Sequence, residues 1–129
     1  MKRALAIFIL SGLISIPALA EKLTGYVSDE QCASSSSKAA KATDWINPTK
    51  FEACAQKCAK NGSPVVFVTE DNKVLKLDAD STKKAGPHLG HRVAVTGTVE
   101  NGTLKIDTIA TIKMAGQTDA NNHQEENMH

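Results

Sequence analysis

The stretch HRVAVTGTVENGTLKIDTIATIKM, residues 91–114, decides the fold. Val93, Val95, Gly97 and Val99 alternate with Arg92, Ala94, Thr96 and Thr98, the period of a strand with one buried face. Asn101-Gly102 follows, and both positions of a type I′ turn need positive φ, which these two residues tolerate best. Thr103 to about Met114 then reads as the returning strand. Its apolar period slips after Ile106, where Ile109 and Ile112 replace the even positions, so a bulge is expected near Thr108.

Upstream, Pro64 to Glu70 and Lys73 to Asp78 read as a second hairpin turning at Asp71-Asn72. Ala79 to Gly90 leaves room for one short helix before Gly86-Pro87. Lys22 to Asp29 alternates as a first strand, and Gly25 in its middle marks a bend. Glu30 to Ile46 is small and polar, a long excursion. Asn47-Pro48 opens a helix expected over about 48–61, with Phe51, Cys54, Ala55 and Cys58 on one face and Gly62 closing it. The expected class is therefore mainly β: a small five-stranded OB-like antiparallel barrel over 21–114 with one inserted helix, which would cap one end. A first strand that bends at Gly25 can serve both halves of such a barrel. An open antiparallel sheet packed on the helix is the competing arrangement.

Residues 1–20 have the parts of a cleavable signal peptide. Lys2 and Arg3 precede an uncharged run from Ala4 to Ile16, and Ala18-Leu19-Ala20 offers small residues to a peptidase. The expected location is periplasmic or secreted, with no membrane span in the mature chain. Without Lys2 and Arg3 the chain holds 13 Lys+Arg against 14 Asp+Glu, a net charge of −1. Nothing in that balance attracts nucleic acid, and Tyr26, Trp45, Phe51 and Phe67 are too few aromatics for a base-stacking groove. The segment 115–129 is rich in Gln, Asn, Glu and His without periodicity and is expected to be a disordered polar tail, with His123, Met128 and His129 solvated, the alternative being that these three catch copper weakly.

GYVSDEQC at 25–32, CAQKC at 54–58, FVTEDNKV at 67–74 and GHRVAVTGT at 90–98 together resemble small exported bacterial OB-fold-like proteins, a group of uncharacterised function. The resemblance implies an envelope location and supports the barrel. It implies no activity.

Cys32, Cys54 and Cys58 carry the chemistry. In an oxidising compartment paired cysteines default to a disulfide, and three leave one thiol over. Cys54 and Cys58 lie one helical turn apart with parallel Cβ directions, which would strain a bond between them, so Cys32 with Cys54 or Cys58 is the expected pair. The alternative is a metal site of Cys32, Cys54 and Cys58 with His88 or His91, a donor set suited to Cu or Zn, or a thiol-redox centre. Neither a Ser/His/Asp order, a phosphate loop nor an HExxH helix occurs, and Asp29-Glu30 are adjacent acids that point apart on a strand. The Asn61-Gly62-Ser63 and Asn101-Gly102-Thr103 triplets are explained by a helix cap and a hairpin turn. The leading expectation is a non-enzymatic binding module of the bacterial envelope that uses no cofactor, its ligand or protein partner open. On the signal reading, the exported protein is expected to start at Glu21. N-terminal sequencing checks this, and a start at Met1 would remove the extracytoplasmic assignment.

Overall fold

The computed structural model describes residues 20–114. The signal-like segment before Ala20 and the tail from 115 lie outside them. The chain runs β1 (Glu21–Asp29), α1 (Glu30–Ser35), a 3-10 turn (Ala42–Asp44), α2 (Phe51–Lys60), β2 (Val65–Thr69), β3 (Val74–Leu77), α3 (Ala79–Ala85), β4 (Arg92–Glu100) and β5 (Thr103–Ile112). It is mainly β, with five strands in one sheet. Among the described residues no helix is long and apolar enough to cross a membrane.

The hairpin of β4 and β5 is as the sequence dictates. Asn101 and Gly102 both have positive φ, 51° and 76°, and Glu100 pairs with Thr103 across the two-residue loop. The expected bulge is present: Thr96 faces Thr108 but Gly97 faces Ile106, so Asp107 is the extra residue. The extra residue lets Ile109 pack on the same core as Leu104 and Ile106 despite the odd spacing. α3 satisfies the backbone that the bulge frees. Ser81 Oγ accepts the Ile106 N–H at 2.8 Å, and Lys84 Nζ donates to the Ile106 carbonyl at 2.9 Å.

β1 pairs with β4 along Glu21–Tyr26 and with β2 along Gly25–Asp29. The hydrogen-bonded order β1-β2-β3-β5-β4 returns to β1 and closes on itself. Gly25 stands where the strand changes partners, and a Cβ there would collide with the Val68 carbonyl oxygen and the Phe67 ring. Two cores result. Inside the ring lie Val27, Phe67, Val93, Val95, Leu104 and Ile106, with Ala85 of α3 against them. Outside it, Tyr26, Val66 and Val68 meet Ala33, Ile46, Phe51 and Ala55 of the inserted segment.

Four expectations need correction. The pairing is not wholly antiparallel: β3 and β5 run parallel at Lys76/Thr103 and Leu77/Leu104, because the α3 crossover puts β4 beside β1 and returns β5 alongside β3. The inserted helix caps no end; α2 lies on the outer face of β1, since Phe51 and Ala55 match Tyr26 there, and α3 supplies the residue that reaches the inner core. That helix spans Phe51–Lys60 rather than 48–61. Asn47 Oδ1 does cap, at 2.9 Å from the Thr49 N–H, but it caps a turn, and Lys50 with φ −116° delays the regular helix. Lastly, β2 and β3 join through a three-residue loop, Glu70 to Asn72, instead of two: Thr69 N–H bonds Lys73 O, and Asn72 takes φ 62°.

The two glycine constraints differ in kind. Gly102→Ala meets no neighbour, so only its positive φ opposes the change, at about 1 kcal/mol. Gly25→Ala overpacks the sheet and is expected to cost more, about 1–3 kcal/mol, with the larger loss of stability in urea titrations. Equal losses would mean that β1 has room to shift.

Candidate thiol site

Two short helices bring the cysteines together. α1 starts at Glu30 because Asp29 caps it, Oδ2 accepting the Cys32 N–H at 3.0 Å. The same oxygen accepts the Ser63 hydroxyl at 3.0 Å, and Ser63 Oγ in turn accepts the Gln31 N–H at 3.0 Å. Ser63 ends the Schellman-type closure of α2, its N–H on the Cys58 carbonyl and Gly62 at φ 96°. Asp29 thus ties the start of α1 to the end of α2. It is fully buried, and its Oδ1 has no hydrogen-bond partner among the described residues, a burden of about 1–3 kcal/mol.

Above this anchor, Cys32 Sγ lies 3.6 Å from Cys54 Sγ and 3.6 Å from Cys58 Sγ, and all three sulfurs fall within 4.8 Å of one another. No pair is at the ~2.05 Å of an S–S bond. Cys54 is exposed, and Cys32 and Cys58 are half-buried. The Cys32 thiol is held well above the ordinary range, first by burial, then by the hydrogen bonds of the Asp29 carboxylate and the two other thiols. Because the folded chain keeps that proton, stability present below the ordinary thiol range falls as pH rises through it and the unfolded chain ionises.

Neither histidine joins the thiols. His88 Nδ1 sits 2.6 Å from Thr111 Oγ1, and His91 Nε2 lies 3.4 Å from Glu52 Oε1. The group able to hold a cation among the described residues is Cys32, Cys54 and Cys58, with no imidazole or carboxylate in it.

A cleft of about 340 Å³ opens beside Cys32 and Cys54. Trp45 and Phe51 meet edge to face in it, centroids 5.9 Å apart, and Phe51 packs likewise on Tyr26 at 6.1 Å. Trp45 is fixed by its Nε1–H on Asn72 Oδ1 at 2.7 Å, and Asn72 Nδ2 holds the Ser36 and Ala39 carbonyls at 2.9 Å each. Sequence reasoning gave Asp29, Ser63, Trp45 and Asn72 no part in this site. Asp29 had a usable signal, an acid three residues before Cys32 at N-cap spacing.

Neither a family model, a curated protein nor a solved structure matches this chain. Alkylation at mildly alkaline pH is expected to modify Cys54 first and Cys32 last, since one is exposed and the other is half-buried with a raised thiol. Peptide mapping of partly alkylated protein checks the order, and Cys32 reacting first would contradict this geometry.

Proposed function

We propose that this chain is an exported, non-enzymatic binding module, built on an OB-like barrel, whose ligand is one thiophilic cation, Cu(I) or Zn(II), held by Cys32, Cys54 and Cys58. The triangle of sulfurs carries the reading. A metal about 2.3 Å from each thiolate needs S···S edges of about 3.8–4.0 Å, and the triad supplies edges of 3.6 Å with none beyond 4.8 Å. Small adjustments of side-chain torsion bring it onto a cation. Soft thiolates without oxygen donors favour Cu(I) or Zn(II) over hard ions.

The barrel assignment is supported by the closed strand order, the helical crossover between the third and fourth strands, and the partner change at Gly25. Export rests on residues 1–20, and it places the site in the periplasm or outside the cell. There a disulfide of Cys32 with Cys54 or Cys58 competes with the metal, because Cys32 is as near to one as to the other. Nucleic acid is not the proposed ligand. Tyr26, Phe51 and Phe67 are buried and present no stacking surface.

Reduced protein is expected to take up about one equivalent of Zn(II) or Cu(I) by elemental analysis. Cys32→Ser, Cys54→Ser and Cys58→Ser each lose it, while His88→Ala and His91→Ala keep it. Substoichiometric metal in the reduced parent, or loss in the histidine variants, sinks the assignment. A disulfide in exported protein with no metal uptake after reduction would leave the structural bridge as the role of these cysteines.

A further inference from the structure

We infer that the cleft beside the triad seats a second, exogenous ligand: a small thiol carrying a carboxylate, whose sulfur becomes the fourth donor to the bound cation. The inference rests on the metal-site reading above. Three thiolates leave one position of a tetrahedral cation open, as in zinc sites with three protein ligands and an exchangeable fourth. Among the described residues nothing fills that position: the triad contains no further donor group, and His88 and His91 are engaged with Thr111 and Glu52.

The surroundings of the triad are unlike on its two sides. At the anchored side the buried Asp29 and the half-buried Ser63 join the helices. At the other side Cys32 and Cys54 line the cleft together with Trp45, Phe51, Asn47 and Lys50. Its volume, about 340 Å³, lies at the low end for small-molecule sites. The aromatic side is rigid before any ligand arrives, because Asn72 fixes Trp45 and Phe51 is wedged between Trp45 and Tyr26. Lys50 is exposed at the cleft and makes no ion pair among the described residues. A soft cation on the triad and the Lys50 ammonium, both beside the cleft, match a ligand with a thiol and a carboxylate. On binding, the metal–sulfur bond forms as a metal–water bond breaks, and the thiol proton leaves to solvent. Nothing is oxidised or reduced.

The test uses reduced protein carrying one equivalent of Zn(II), with glutathione as the probe and native mass spectrometry and calorimetry as readouts. A 1:1:1 complex of protein, zinc and glutathione is expected. S-methylglutathione, which lacks the thiol, should not form it, and cysteamine, which lacks the carboxylate, should bind more weakly. Lys50→Glu should weaken glutathione about tenfold while the zinc equivalent is retained, since charge reversal removes a charge-assisted contact. Trp45→Ala should weaken it too. Zinc retained with no ternary complex, equal binding of the S-methyl compound, or zinc stripped by glutathione each overturns the inference and leaves the metal site standing. Failure to load zinc at all defeats the metal reading and takes this inference with it.

Discussion

The close approach of β1 to β2 at Gly25 is the constraint on which the rest of the molecule depends. With no Cβ in the way, one strand hydrogen-bonds β4 with its first half and β2 with its second, and the sheet closes. Closure has a consequence for the residues after the bend. Gly25 to Asp29 are all buried, although a strand with one solvated face would alternate. Val27 enters the inner core, whereas Tyr26 points outward and needs cover. The 35-odd residues between β1 and β2 supply that cover, so the insertion that carries the cysteines is also the lid of a second hydrophobic core.

That arrangement explains why three thiols meet on so small a scaffold. Phe51 and Ala55 commit α2 to the outer face of the sheet, and Cys54 and Cys58, offset from them by three residues, are turned toward α1. α1 is too short to hold itself and is fixed by its cap. The cap is Asp29, a carboxylate buried beside an apolar core, one of whose oxygens has no hydrogen-bond partner among the described residues. Packing alone would favour an apolar residue there. The site is thus bought with stability, since Asp29 sets Cys32 opposite the α2 cysteines at the expense of an unsatisfied oxygen.

What could be read from the sequence was whatever depended on neighbours in the chain. Asn101-Gly102 fixes its turn by backbone sterics, and the slip from Ile106 to Ile109 records the Asp107 bulge directly. The 51/54/55/58 spacing put the two helix cysteines together for the same reason. The parallel β3–β5 pairing was not legible, because it follows from which side of the sheet β4 takes after the α3 crossover. Nor was the outward burial of Tyr26, whose alternation looks identical whether the second face meets water or a helix. That His88 and His91 stand outside the cysteine group was not legible either, because residue type says nothing of distance. Their positions follow from the path of the 86–91 segment, which delivers them to Thr111 and to Glu52.

A cation held by this triad would act on the fold as well as occupy it. Its ligands come from α1 and α2, elements joined through fifteen residues of polar, weakly structured chain and otherwise linked by Asp29 and Ser63. The unfolded chain does not hold the three sulfurs together, so the bound ion stabilises the folded insertion in proportion to its affinity and free concentration. A disulfide from Cys32 to either partner would fasten the same two helices by constraining the unfolded chain. The two devices are mutually exclusive, because each uses Cys32. Oxidation therefore preserves the lid over Tyr26 while removing two of the three ligands, and the supply of metal and the redox poise of the surroundings decide which state is populated, with the five-stranded sheet indifferent to both.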